Sequence, residues 1–360
     1  MIKNCFKNKT VLVTGHTGFK GSWLISWLNQ IGANVIGVAL DPPSEISHFS
    51  AAKMGYNTRD LRVDIRDFEI LNKTIVEAQP DFVFHLAAQA LVRSSYESPI
   101  ETWQTNVLGT LHILEALRNI DKACIAVLIT SDKCYDNVEW VWGYRENDAM
   151  GGPDPYSASK GAAELAIRSY IKSFFPRGKT QIRIASARAG NVIGGGDWAA
   201  DRIVPDCIKA WSQKKTVKLR NPHSTRPWQH VLEPLGGYLT LAAALFERPE
   251  LHGESFNFGP LSNQTQSVFE LVQQMSKSWD QVKWENVIND NTGPYESGLL
   301  KLNCDKALHF LKWQASLNFE ETVKLTADWY KSYYEKPDSI SDITTDQIKK
   351  YIRQSNISFD

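Results

Sequence analysis

Through the first half of the chain, short apolar runs rich in β-branched residues alternate with longer segments in which apolar residues recur every three or four positions. The runs predict strands at Thr10 to Thr14, Asn34 to Ala39, Phe82 to Leu86 and Ala126 to Thr130. The longer segments predict helices near 19–31, 67–78, 99–119 and 158–175. Strands separated by helices need crossover connections and therefore pair in parallel. Runs as continuously apolar as AVLIT have no face to offer water, so the sheet must be covered by helices on both sides. The expected fold class is α/β, a doubly wound parallel sheet with a smaller C-terminal α/β lobe.

From about residue 190 the pattern loosens into NVIGGGDWAADRIVP, and helical segments then recur irregularly. HVLEPLGGYLTLAAALF followed by ESFNFG reads as a helix and then a strand that returns to the first sheet. The division expected is 1–189 with the returning 227–258 as one domain, and 190–226 with 259–345 as a substrate lobe. The polar residues 346–360 read as a loosely packed tail.

Composition narrows the function classes. With 40 Lys+Arg against 40 Asp+Glu, the zero net charge lacks the footprint of a nucleic-acid or anionic-membrane binder, and 42% hydrophobic residues argue against disorder. Cysteines at 5, 124, 134, 207 and 304 form no CxxC pair, and no HExxH accompanies the histidines, so reduced thiols and no metal are expected. MIKNCFKNKT has no apolar signal region, and no stretch approaches the ~18 apolar residues of a span. The expected location is the cytoplasm, with no membrane or nucleic-acid partner.

The first predicted strand runs directly into Gly15, Gly18 and Gly21, with Phe19 and Lys20 inside the turn, and then into a helix. Strand, glycine turn and helix form what a dinucleotide pyrophosphate needs: a backbone it can approach closely, and a helix N-terminus with unpaired N–H groups. Asp41 ends the second strand twenty residues beyond Gly21, where a carboxylate can hold the adenosine ribose hydroxyls. It would repel a 2′-phosphate, and no arginine is expected beside it to compensate, so NAD is expected rather than NADP. Asp64 and Ile65 stand where the adenine would be met.

Tyr156 and Lys160 are four residues apart at a helix start, on one face, where an ammonium favours the phenolate of a base acting on a hydroxyl. Ser131 closes a buried strand, at the carboxyl edge where ligands of such sheets collect, and can hydrogen-bond the reacting oxygen. Asp132 and Lys133 follow it directly.

GHTGFKG, HLAAQ, TSDKCY, YSASK, ARAGNVIGGGDW and RPWQHVLEP, in this order, resemble the extended short-chain dehydrogenase/reductases that act on nucleotide sugars, over roughly residues 8–330. The resemblance implies a Rossmann-type sheet, NAD held also by Leu86, Ala87, Ala88, Tyr156 and Lys160, and a substrate held by Gln89, Asn191, Arg202 and Arg226. An acid and base pair after the serine is typical of 4,6-dehydratases and missing from 4-epimerases. Asp132-Lys133 is the version of the branch acting on CDP-D-glucose. The implied reaction yields CDP-4-keto-6-deoxy-D-glucose and water, early in CDP-deoxysugar biosynthesis for a surface polysaccharide. Tyr156 takes the 4-hydroxyl proton while hydride passes from carbon 4 to NAD. Lys133 removes the carbon 5 proton, Asp132 protonates the departing 6-hydroxyl, and hydride returns to carbon 6.

A lysine ordinarily titrates near 10.4, so two roles stay open for Lys133: the base at carbon 5, or a cation that stabilises the enolate. Trp198 and Trp228 either border the nucleotide or pack; Trp23 and Trp27 pack. YESGLLKLN, Tyr295 to Asn303, departs from the HEAHYLKLD of such relatives. The helices near 99–119 and 158–175 resemble those through which the family pairs its subunits, and the resemblance implies a homodimer or a dimer of dimers. Two alternatives stand beside this reading: epimerisation or dehydration of another nucleotide sugar, and a non-catalytic NAD-binding regulator.

Overall fold

A computed structural model describes residues 2–219, 221–279, 282–286, 298–355 and 357. Its centre is a seven-stranded sheet of β1 (Thr10–Thr14), β2 (Asn34–Ala39), β3 (Arg59–Arg62), β4 (Phe82–His85), β5 (Cys124–Ile129), β6 (Ile182–Arg188) and β7 (Ser255–Asn257). The spatial order is β7-β6-β5-β4-β1-β2-β3 and every pairing is parallel. The order reverses between β1 and β4, and the crevice at such a reversal is where a parallel sheet holds its ligand.

The principal helices are α1 (Phe19–Gln30), α2 (Phe68–Ala78), α3 (Gly109–Arg118), α4 (Pro155–Phe174), α5 (Ile203–Ser212), α6 (Leu232–Glu247), α7 (Val268–Ser276), α8 (Phe319–Glu335) and α9 (Ile340–Gln354). Successive strand residues point to opposite faces, and the core divides accordingly. Val11, Val13, Phe82, Phe84, Ile125 and Val127 pack with α1, α6, α8 and α9. Leu12, Val83, Ala126 and Leu128 pack with α2, α3 and α4. Trp23 and Trp27 of α1 are fully buried, Trp23 donating from Nε1 to the Gly195 carbonyl at 2.9 Å. No helix among the described residues is long and apolar enough to cross a membrane.

Helix α6 leads to β7, whose residues 255–257 pair with 186–188 and so extend the first sheet. Residues 346–354, expected as a loose tail, belong instead to α9. Its polar composition hides an apolar stripe: Ile340, Thr344, Ile348 and Tyr351 fall at helical spacing, and all four are buried. Tyr351 donates to the Glu233 carboxylate at 2.8 Å, which also accepts from the Ser316 and Leu317 N–H groups at 2.8 and 2.6 Å. Burial pushes the Glu233 carboxyl up to about 7 against the pull of these donors.

Candidate active site

The carboxyl ends of β1 and β4 meet in a turn that only glycine can make. Gly15 has φ +72°, and a Cβ there would lie 2.7 Å from the Ala87 N. Thr14 fastens the two strand ends: its carbonyl accepts from the Leu86 N–H and its hydroxyl from the Ala87 N–H, both at 3.2 Å. Helix α1 starts from Gly18 with no side-chain cap, so its first N–H groups remain for a ligand. This cradle, with Leu86 and Ala87 against Gly15, fits a dinucleotide pyrophosphate.

Ser131 follows β5 and caps a single 3-10 turn, its hydroxyl accepting from the Lys133 N–H at 3.2 Å and donating to the Asp132 carboxylate at 3.0 Å. The other Asp132 oxygen accepts from the Asn191 side-chain amide at 3.3 Å. Asp132 lies so close against Gly190 that a Cβ there would collide with its carboxylate. Asp154 caps α4, accepting from the Ser157 N–H at 2.9 Å, and Pro155 pre-sets the first turn. Tyr156 and Lys160 are thus presented from that turn beside Ser131 and Asp132, and all four side chains are buried.

Burial pushes the Tyr156 phenol up to about 12; the Ser131 hydroxyl pulls it down, Asp132 adds to the rise and the Arg202 guanidinium opposes it. Burial drives the Lys160 ammonium down to about 8. Lys20 reaches the same interior among Arg202, Asp132, Lys160 and Asp197, and burial followed by the Arg202 charge brings it to about 8 as well. Both lysines remain mostly protonated at neutral pH. The cluster therefore unites a buried phenol, serine hydroxyl, carboxylate and ammonium with the half-buried Lys20 and Arg202 at its edge, which suits proton transfer at a polyhydroxylated, anionic substrate.

A family model described as GDP-mannose 4,6 dehydratase matches residues 12–326. The chain belongs to that family. As a member of the GDP-mannose 4,6 dehydratase family it is 47% identical over 342 residues to the CDP-glucose 4,6-dehydratase of Salmonella typhimurium, covering 94% of this chain and 95% of that one. Among solved structures it is similar to a UDP-glucose 4-epimerase from Stenotrophomonas maltophila with bound NAD (TM-score 0.78, 20% identity, covering 91% of this chain and 99% of that one). It is likewise similar to dTDP-glucose 4,6-dehydratase from Bacillus anthracis in complex with NAD (TM-score 0.74, 20% identity, 91% and 98%).

Within this family member the remaining expected residues have protein partners of their own. Gln89 uses its amide inside its own loop, accepting from the Leu91 N–H at 2.5 Å and donating to the Thr102 hydroxyl at 3.0 Å. Arg66 grips the Asp64 carboxylate at 2.6 Å and holds it below the usual carboxylate range. Ile65 is buried against Gly109. Arg202, at the head of α5, pairs with Asp197 at 2.6 Å. Arg226 donates to the Thr225 carbonyl at 2.9 Å and towards that of Gly298 at 3.3 Å. Trp198 packs edge-on against Trp329, Tyr330 and Tyr333, and Trp228 donates to the Gln266 carbonyl, so both serve the lobe's core. Tyr295, with Glu296 and Ser297, lies outside the described residues.

One expectation about Asp41 is overturned. An arginine does neighbour it: Arg62 Nε is 3.5 Å from its carboxylate, brought there by the pairing of β2 with β3 rather than by sequence.

Two supports escaped the sequence reading. Asn106 sits in a π-turn, Gln104–Leu108, that interrupts the helix expected over 99–119. It accepts from the Gln89 N–H at 2.9 Å and donates to the Ser159 hydroxyl at 2.9 Å, tying the loop after β4 to the helix of Tyr156. Glu164 of α4 and Arg188 of β6 form a buried ion pair at 2.9 Å beneath the site. A short mid-helix π-turn is a recurrent mark of function, but it leaves no periodicity signal in one sequence.

Proposed function

We propose that the chain is an NAD-dependent hydro-lyase that converts CDP-D-glucose to CDP-4-keto-6-deoxy-D-glucose and water. The observation that carries this reading is the 47% identity, across 94% of the chain, to a CDP-glucose 4,6-dehydratase. The fold neighbours whose descriptions name bound NAD, and the cradle at Gly15, support the cofactor.

In this reading Gly15, Gly18, Phe19, Lys20 and Gly21 hold the pyrophosphate of NAD, Asp41 its ribose, and Leu86, Ala87 and Ala88 the wall opposite. Bound there, NAD would supply the electron acceptor for carbon 4. Tyr156 takes the 4-hydroxyl proton; Ser131 hydrogen-bonds the same oxygen; Lys160 contributes charge from below. The resulting 4-ketone acidifies the proton on carbon 5. Asp132, restrained by Ser131 and Asn191, protonates the leaving 6-hydroxyl. Arg202 and Arg226 receive the substrate pyrophosphate, a task suited to their planar forks.

Purified protein incubated with NAD and separately with CDP-, dTDP-, UDP- and GDP-hexoses tests the reading. Loss of one water from CDP-glucose alone is expected by mass spectrometry; a new 4-epimer of unchanged mass would overturn it. Ile100, Trp103, Leu108 and Leu165, exposed on the helices 99–118 and 155–174, are the proposed contact of a homodimer, which sedimentation of the same preparation reads directly.

The role of Lys133 has its own test. With Lys133→Met, exchange of the carbon 5 hydrogen of the 4-keto sugar with deuterated water is expected to slow by about 100-fold or more if the lysine is the base. An unchanged exchange rate rules the lysine out as the base.

A further inference from the structure

Trp198 and Trp228 pack inside the lobe, but another pair of indoles does not. Four of the five residues from Val138 to Trp142 are large apolar side chains left open to solvent, Trp140 by 37% and Trp142 by 69%. Exposed apolar residues are ordinary one at a time, whereas a cluster on one loop marks a surface that something covers. The loop is firmly held. The Tyr144 N–H donates to the Lys301 carbonyl and its carbonyl accepts from the Asn303 N–H, both at 2.9 Å, while Asn137 donates to the Leu299 carbonyl at 3.0 Å. Glu139 has φ +55°, a left-handed conformation that a glutamate keeps only where its surroundings impose it.

Two neighbours place this loop at the substrate crevice. The first is the turn of Asp132 and Lys133: Tyr135, just beyond it, stacks on Tyr144 at 5.1 Å, Trp140 leans on Tyr144 at 5.2 Å, and Trp142 meets Trp140 at 5.9 Å and 82°. A file of rings thus leads from the catalytic turn to the surface. The second is Arg226. Gly298 donates its N–H to the Glu139 carboxylate at 3.0 Å, and its carbonyl accepts from Arg226 at 3.3 Å, so one residue separates the loop from that guanidinium.

Resting on the nucleotide-sugar reading above, we propose that Trp140 and Trp142 form the platform on which the nucleobase of the substrate stacks. Two indoles nearly at right angles make a corner, in which a flat base lies on one ring and meets the other with its edge. Tyr144 backs one side of Trp140, so the corner stands ready before the nucleotide arrives. With the diphosphate on Arg226, the base is one ribose away, on the side where the loop stands. Stacking accepts any base, because every base has a π-face. The corner therefore supplies affinity and orientation, and the choice of cytosine lies with other groups.

The test titrates CDP, UDP and inorganic pyrophosphate calorimetrically into wild type, Trp142→Ala, Trp142→Phe and the double variant Trp140→Ala/Trp142→Ala. Trp142→Ala is expected to weaken CDP by about 5- to 150-fold, and UDP by a similar factor. Pyrophosphate, which has no base, should change by less than about threefold. Trp142→Phe keeps an aromatic face and should recover most of the loss. Trp142 is largely exposed, so its single variants carry the test should the double variant unfold. Unchanged CDP binding overturns the proposal, and so does an equal loss for pyrophosphate, which would mean that the loop acts through Arg226. Sedimentation of the same variants adds a third outcome: a smaller assembly with CDP binding intact assigns the indoles to a second copy of the chain and overturns the platform. In each of these cases CDP binding by wild type leaves the nucleotide-sugar reading standing. Wild type that binds neither CDP nor CDP-glucose overturns both.

Discussion

Replacing Tyr156 by phenylalanine is expected to lower turnover of CDP-glucose by about 10²–10⁴-fold, roughly 3–5 kcal/mol of barrier, because it removes the proposed base for the 4-hydroxyl proton while keeping the ring that fills the site. The phenol is buried between Ser131 and Asp132, with a titration pushed up to about 12, so little phenolate exists at neutral pH before cofactor and substrate arrive. The group is poised to become basic only in the assembled complex. Binding of the substrate, measured calorimetrically, should change by less than about tenfold, since the hydroxyl works in the transition state rather than in the ground state. A variant that retains turnover within tenfold would sink the assignment.

The second large effect concerns stability. Removing Glu164 with alanine is expected to destabilise the fold by about 3–5 kcal/mol, because it strands the Arg188 guanidinium in the interior. The carboxylate accepts from Arg188 twice, from Thr130 and from Ser186, and both members of the pair are essentially inaccessible. Burial alone would raise the Glu164 carboxyl, but Arg188 and the hydroxyl donors outweigh it and hold the group below its ordinary range. Its contribution is therefore fully present above about pH 4.3, its unfolded value, and fades as the pH falls through the depressed folded value. Urea unfolding at neutral pH reads the loss. The pair replaced together, Glu164→Leu with Arg188→Met, should be less destabilised than Glu164→Ala, since no charge is left unpaired. If the single and double variants unfold alike, the stranded charge is not the cause.

The reach of the sequence follows its physics. β1 and β2 were legible because buried parallel strands are continuous apolar runs, and Tyr156-Lys160 because helical spacing places both on one face. β6 was not, since Ser186 and Arg188 interrupt its pattern in order to meet Glu164 from another element. β3, an edge strand reading RDLR, has almost no apolar signature. The proximity of Ser131, Asp132 and Tyr156 could be anticipated from strand ends and motif order. The pairing of Arg62 with Asp41, by contrast, depends on register between neighbouring strands, and the brace at Asn106 on a local π-turn; neither is written in the spacing of a single sequence. Residues 346–354 misled by composition, because a helix with one narrow apolar stripe has the overall polarity of a tail.

That last helix has a consequence for how the molecule is made. Trp27, on the first long helix, is covered by the Tyr351 ring at 5.6 Å, and His48 meets Thr344, 296 residues further on, at 3.3 Å. A growing chain emerges in order, so Trp27 on α1 waits for its Tyr351 cover, and Glu233 for its Tyr351 donor, until α9 has left the ribosome. A message truncated before residue 340 would release a protein with its whole catalytic cluster and an open aromatic wound on its back, a natural substrate for chaperones and proteases rather than a weaker enzyme.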